Sequence, residues 1–252
     1  MNGGATDVSA RRCFEGCSLA ETDDEETLWA KARRFAEDRL GVTSILFGFT
    51  HSRHLAGRVG MTQSLYIRHD HPTDYLRRFA PDRILDDDLC ALILLGGTGV
   101  FLWDTLAGSD EHTEAQRERA RIDREEGMGV GVSLGFRFAD GHGIAGVGLA
   151  ARWMPAEEFR GRWAENGAET VDFFTRFEAL MRRRMVEARL VLTPRQRDVL
   201  SLSVGGLPGK SIAARLGISE GRVERLFREI RTRLEADTTI EAAAKALAYK
   251  LI

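Results

Sequence analysis

The stretch from Leu192 to Leu234, LTPRQRDVLSLSVGGLPGKSIAARLGISEGRVERLFREIRTRL, leaves its backbone few choices, because the starts and stops of three helices are written into it. Thr193 is an N-cap whose hydroxyl can accept from the first turn, Pro194 sits where a helix needs no donor, and Gln196 completes a capping box. The spacing predicts a helix from Pro194 to Val204, stopped by Gly205 and Gly206. Ile212, Ala213 and Leu216 give a short second helix an apolar face, and Gly217 supplies the turn after it. Pro208 stands where a capping hydroxyl would serve, which predicts a late start for this helix, at Ser211. Ile218 plugs the core and Ser219 caps a third helix. In that helix Val223, Leu226, Phe227, Ile230 and Leu234 recur along one face.

A capped helix, a short helix, a glycine turn and a second capped helix are the order of a helix-turn-helix, which lays its last helix in the major groove of DNA. With Val223 inward, a step of about 100° per residue turns Gly221, Glu224, Arg225, Arg228, Glu229 and Thr232 outward. Arg228 is placed for bidentate reading of a guanine edge, and Arg222, Arg225 and Arg231 for phosphates. Glu224 either accepts from a cytosine amino group or repels the backbone. The candidate DNA-contacting set is Arg222, Glu224, Arg225, Arg228 and Thr232.

These residues resemble the DNA-binding domain of LuxR-type transcription regulators. Leu192-Thr193-Pro194-Arg195, Val199-Leu200, Gly206, Ile212-Ala213, Leu216-Gly217-Ile218-Ser219, Val223 and Leu234 fall at that family's spacings. Gln196, Pro208 and Glu224 depart from it, where the family has Glu, Ser and a basic residue.

Charge separates this segment from the rest. From Arg189 onward twelve basic residues oppose seven acidic ones, giving +5, so the chain's net of −2 leaves −7 upstream. Only the carboxyl end suits a phosphate backbone. In 252 residues with 43% hydrophobic and 29% charged side chains, two domains are expected. Cys13, Cys17 and Cys90 are an odd set without paired spacing, which argues against a disulfide framework and for a reducing cytoplasm. No apolar run is long enough to span a bilayer, and no secretion signal opens the chain, so no membrane association is expected.

Upstream, residues 1–24 read as a flexible tail, 25–185 as a sensor domain, 186–191 as a linker and 192–252 as the helix-turn-helix domain. A helical stripe of Leu28, Trp29, Ala32, Phe35, Ala36 and Leu40 ends at Gly41. Residues 43–50 and 64–68 read as a hairpin whose connection carries His51, Arg53 and His54. A helix over 72–79 follows, then one over 89–95 headed by Asp86, Asp87 and Asp88, then a short apolar segment at 100–103. The charged helix expected over 110–126 reads as mostly solvated. Strands at 130–138 and 144–151 are joined by Asp140-Gly141-His142-Gly143, and a final helical region from Pro155 is expected to break at Asn166-Gly167. This order describes an α+β fold, a PAS/GAF-like α-β-α sandwich with a mainly antiparallel sheet, ahead of an all-α domain.

The upstream domain is similar to the autoinducer-binding domain of LuxR-type regulators, which bind acyl-homoserine lactones. Tyr75, Phe79, Asp88, Trp103 and Gly131 fall at its intervals. The resemblance implies that Asp88 accepts from a ligand amide, that Tyr75 donates to a lactone carbonyl, and that Phe79 and Trp103 wall the site. Tyr75, Phe79 and Leu89 replace the family's Trp, Tyr and Pro, so Ser133, His71 and His69 become candidates for replacing lost polar contacts. The same aromatics also suit a solid core. The implied protein is a ligand-responsive regulator binding double-stranded DNA as a homodimer, with no cofactor beyond a small-molecule signal. Dimer contacts are expected near Arg184 and in the last helix, where Thr238 and Glu241 form a capping box before Ala244, Leu247 and Leu251. A ligand-free antiactivator pairing with another regulator, or a ligand-independent DNA binder, remain open. GGLPGKS at 205–211 lacks the first glycine and the preceding strand of a phosphate loop, His51, His54, His69 and His71 lack acidic or thiol partners for a metal, and no catalytic signature is present. No enzyme is expected.

Overall fold

A computed structural model of the chain describes residues 18–50, 65–80, 85, 88, 98–105, 112–138 and 143–252. The three cysteines, His51, Arg53, His54, the expected helix at 89–95 and the turn residues 140–142 lie outside them. The chain divides into two compact units, Met1–Arg182 and Arg183–Ile252.

The first unit opens with α1, Glu25–Leu40. Asp24 caps it by accepting from the Thr27 amide at 2.8 Å, and Gly41, at φ +67°, ends it in the left-handed conformation that glycine adopts without penalty. All six residues of the expected stripe are buried. Five strands follow: β1, Ser44–Thr50; β2, Tyr66–His69; β3, Gly99–Leu102; β4, Gly131–Arg137; and β5, Ile144–Ala150. They form one antiparallel sheet in the order β2-β1-β5-β4-β3. The expected hairpin is the β1–β2 pair, with Phe47 opposite Arg68, and the apolar segment at 100–103 is the edge strand β3. Phe138 donates to the Gly143 carbonyl at 3.0 Å, closing the chain between β4 and β5.

Strand side chains alternate, so the sheet has two unlike faces. Ile45, Phe47 and Phe49 of β1, Val132 and Leu134 of β4, and Val147 and Leu149 of β5 are buried on one face. Against them lie α1 and the long α4, Ala156–Arg189. Phe177 stands edge-on to Phe47 at 5.6 Å and to Phe174 at 5.5 Å, and Phe35 stacks on Phe173 at 4.0 Å. The other face carries Leu46, Gly48, Ser133, Gly146 and Gly148. Opposite it sit α2, Thr73–Leu76, and α3, Glu114–Glu125. The architecture is an α-β-α sandwich.

Several helix boundaries differ from expectation. The helix opened by Pro72 spans only Thr73–Leu76 and then turns through Phe79. The break at Asn166-Gly167 is absent, and α4 is continuous. A lone helical glycine costs only about 1 kcal/mol relative to alanine. Here the Trp163 ring lies so close to Gly167 that an added Cβ would approach it to 2.8 Å, while Asn166 Nδ2 donates to the carbonyls of Arg162 and Arg39. The segment read as a linker is helical as far as Arg189.

In the second unit, α5, Pro194–Val204, carries the complete capping box of Thr193 and Gln196. The next helix, α6, is Gly209–Leu216, not delayed to Ser211. Pro208, extended at φ −70° and ψ 157°, is itself the N-cap, and its carbonyl accepts from Ser211 and Ile212 at 2.9 and 3.0 Å. Gly217 turns at φ +65°, Ser219 caps α7, Glu220–Arg233, and α8 is Thr239–Ala248. Val199, Leu200, Ile212, Ala213, Val223, Leu226, Ile230 and Leu234 form this unit's buried centre. Thr238 accepts from Glu241, but the Glu241 carboxylate reaches one residue further back, to the Asp237 amide at 3.0 Å. Among the described residues no helix is long and apolar enough to cross a membrane.

Candidate functional site

A cavity of about 550 Å³ lies between the glycine-bearing face of the sheet and the α2–α3 layer. Its floor exists because that face carries almost no side chains: Gly48 of β1, Gly146 and Gly148 of β5, and Ser133 of β4 line it. The Trp103 ring is laid across Gly131 and Gly148. A Cβ on Gly131 would sit 2.7 Å from that ring and 2.2 Å from the Leu149 carbonyl oxygen, so only glycine fits there. Trp103 Nε1 donates to Ser133 Oγ at 2.8 Å, which fixes the indole's tilt. At one border Trp153, 66% exposed and at φ +65°, lies flat against Gly127.

Tyr75, Asp88, Trp103, Ser133 and His71 all line this cavity, as expected. Phe79 does not: it packs behind the lining, with its ring at 5.1 Å from Tyr75 and at 4.3 Å from the Arg119 guanidinium carbon. The wall role assigned to Phe79 is thereby corrected. Its ring offers a face on which the Arg119 guanidinium lies. Ser133 spends its oxygen on Trp103, and His69 stacks on His71 at 5.2 Å, outside the lining.

The polar wall is built by α3, the helix read as solvated. Its outer face is: Arg121 pairs with Glu118 and Glu125. Its inner face carries Arg119, only 6% exposed, and Asp123. Arg119 Nε donates to Asp123 Oδ1 at 3.0 Å, while Nη2 donates to Asp88 Oδ2 at 3.0 Å and to the Tyr75 hydroxyl at 2.6 Å. The Tyr75 hydroxyl in turn donates to Asp123 Oδ1 at 2.7 Å. That proton is therefore committed within the chain, and the role of Tyr75 as donor to a ligand carbonyl is corrected. Burial pushes the Tyr75 hydroxyl well above the ordinary tyrosine range. Burial likewise raises Asp123, helped by the Asp88 charge and opposed by Arg119. For Arg119 burial works against the charge, but Asp88 and Asp123 outweigh it and hold the guanidinium above its usual value. Sequence periodicity offered one signal: Arg119 and Asp123 are four apart on the face that also carries half-buried Ile122, but so are several pairs that face water.

The second candidate surface is α7. Glu224, Arg225, Arg228, Glu229 and Thr232 are exposed on its outer side, as expected, and Arg222 is half-buried. Glu229 lies 3.7 Å from Arg222 and 3.9 Å from Arg225, and accepts from Gln196 Nε2 at 3.2 Å. Arg231, placed among the phosphate contacts by its charge, instead donates to Thr239 Oγ1 at 3.2 Å.

A cavity-bearing α-β-α sandwich joined to a capped tri-helical reader defines a class, the two-domain regulatory proteins with a helix-turn-helix. Residues 24–171 match the family described as autoinducer binding domain, and residues 190–246 match the bacterial regulatory proteins of the luxR family. The chain belongs to the autoinducer binding domain family, and carries a luxR-family regulatory domain match at its carboxyl end. The transcriptional regulatory protein MctR of Rhizobium johnstonii is 37% identical over 76 residues, which are 30% of this chain and 36% of MctR. The chain thus aligns with about a third of that relative's length. Among solved structures, Escherichia coli SdiA has TM-score 0.56 at 16% identity, covering 98% of both chains. CepR2 of Burkholderia cenocepacia, described as an N-acylhomoserine lactone dependent LuxR family transcription factor, has TM-score 0.52 at 16% identity, covering 72% of this chain and 99% of its own.

His71 makes the stability of the fold pH-sensitive. Its Nδ1 is 2.5 Å from Ser44 Oγ, and burial, reinforced by His69 and Arg119, pushes its pKa down to about 3. A base depressed on folding contributes stability above its unfolded pKa of about 6.5 and loses it as pH falls toward 3. Urea unfolding at pH 5.5 is expected to show a loss of about 1.4 kcal/mol relative to pH 7.5 from this group, and His71→Gln to flatten that difference. An unchanged pH dependence in the variant contradicts the assignment.

Proposed function

We propose that the protein is a transcription regulator that binds an acyl-homoserine lactone or a related small amphiphile in the sandwich and binds double-stranded DNA through α7 as a homodimer. The observation that carries the reading is the cavity, apolar over most of its wall, with Asp88, Tyr75, Arg119 and Asp123 meeting in one hydrogen-bonded polar cluster. Such a division suits a molecule with one hydrogen-bonding head and an apolar tail. The lactone dependence stated for CepR2 favours the same ligand class. Asp88 is the group for a ligand amide, since a carboxylate has several acceptor sites and can serve a second donor beside Arg119. Trp103 walls the head, and Ser133 and His71 hold the wall in place. In this reading the protein works in the cytoplasm and catalyses nothing.

For DNA, Arg228 and Thr232 reach base edges, Glu224 selects against sequences offering it no amino group, and Arg222 and Arg225 contact phosphates. One reader covers a half-site, so two copies are required to span successive major grooves about 34–36 Å apart. Ile240, 84% exposed, and Leu247, 52% exposed, lie on one side of α8 and supply an apolar face for the second copy. Ligand acts by binding one state of the sandwich better than others, shifting the population competent for DNA.

Titrating N-octanoyl-homoserine lactone while following tryptophan fluorescence and binding of labelled operator DNA tests the sensor: saturable changes in both are expected, weakened at least tenfold in Asp88→Asn. No change in either signal excludes the lactone. Arg228→Ala is expected to lose about 1–3 kcal/mol on the preferred operator and to discriminate less at one base pair. Undiminished affinity removes Arg228 from the reading face. In sedimentation, Ile240→Asp with Leu247→Asp is expected to turn a dimer into a monomer; a dimer that persists places the interface elsewhere.

A further inference from the structure

Arg119 brings a full charge into the cavity wall, where side chains of the chain itself compensate it. Nε faces Asp123, Nη2 faces Asp88 and Tyr75, and the Phe79 ring lies 4.3 Å from Cζ. Seen from the acids, the arrangement is reciprocal. Asp88 and Asp123 are half-buried carboxylates on the same wall, and the Tyr75 proton can serve only one of them. Removing one member of such a cluster leaves a charge without compensation in a low-dielectric site. If only a ligand amide donated to Asp88, the domain would depend on the ligand to satisfy that acid, and its charge would stay uncompensated. Here a guanidinium supplies both donor and opposite charge, and the Phe79 ring gives the guanidinium its platform.

We propose that Arg119 is a built-in counter-ion for the Asp88–Asp123 pair, in place before any ligand donor reaches Asp88, so that this sensor domain reaches its folded state without ligand. The proposal deepens the reading of the cavity as a ligand site. Ligand then modulates a folded domain and does not serve as part of its core. Arg119 is a positioning residue: it sets where the Asp88 carboxylate and Tyr75 hydroxyl stand, and thus which head groups they meet.

The test is thermal unfolding of the full chain, purified without lactone, as wild type, as Arg119→Met, and as Arg119→Met combined with Asp88→Asn and Asp123→Asn. Wild type is expected to melt cooperatively, Arg119→Met about 6–20 °C lower, and the charge-free triple variant to regain at least half of the loss. The triple variant distinguishes charge compensation from space filling, because it lacks the guanidinium as fully as the single one does. An Arg119→Met chain that melts with wild type, or a triple variant no more stable than the single one, overturns the proposal. Should Arg119→Met give no soluble protein, a soluble triple variant supports it and an insoluble one overturns it. Adding N-octanoyl-homoserine lactone is expected to raise the melting temperature of Arg119→Met more than that of wild type. A lactone that moves neither counts against the lactone reading alone, since the lactone-free comparison decides the counter-ion.

Discussion

The sensor half of this protein depends on one sheet having two unlike faces. Strand alternation sends Ile45, Phe47, Phe49, Val147 and Leu149 to the side of α1 and α4, where aromatic packing closes the core. The same alternation sends Gly48, Gly146, Gly148 and Ser133 to the other side, where beside Leu46 and the small Ser133 hydroxymethyl little rises from the floor. A close-packed interior fills with side chains wherever it can. The cavity persists because the floor has few to offer and because Trp103, tied to Ser133 and laid over Gly131, fixes one wall.

The polar end of the cavity follows a different logic. A guanidinium that is only 6% exposed is unfavourable alone and stable only within a closed set of partners. Among the described residues, Asp88, Asp123, Tyr75 and Phe79 are such partners of Arg119. The departures from the family pattern at 75 and 79 therefore read as parts of one arrangement. Tyrosine at 75 has a hydroxyl that both receives from Arg119 and gives to Asp123, and phenylalanine at 79 leaves an unobstructed ring face. A ligand head in this cavity meets carboxylates that already share a counter-charge.

The sequence was most legible where its signals are local. Thr193, Pro194, Gln196, Gly217 and Ser219 act on neighbouring peptide groups, and the structure places each in the role its chemistry dictates. Pro208 was misjudged because a proline disfavours helix in the residue before it, not in the one after. Gly167 was misjudged because an aromatic ring four residues earlier in α4 covers it, a contact that propensity does not contain. In the cavity Tyr75, Asp88 and Trp103 were legible through family spacing, and Ser133 and His71 as candidates to replace lost polar contacts. Arg119 and Asp123 were not, since α3 carries many charges and only the three-dimensional position of the sheet decides which pair turns inward.

Small-molecule occupancy of the sandwich is the central claim, and native mass spectrometry of the full chain addresses it most directly. Protein incubated with an equimolar mixture of N-acyl-homoserine lactones of different tail length, then exchanged into volatile buffer, should carry one added lactone per chain. A narrow range of tail lengths, set by a cavity of about 550 Å³, should be selected from the mixture. A spectrum containing only the bare chain, or one in which all tail lengths bind without preference and in multiple copies, would contradict the account.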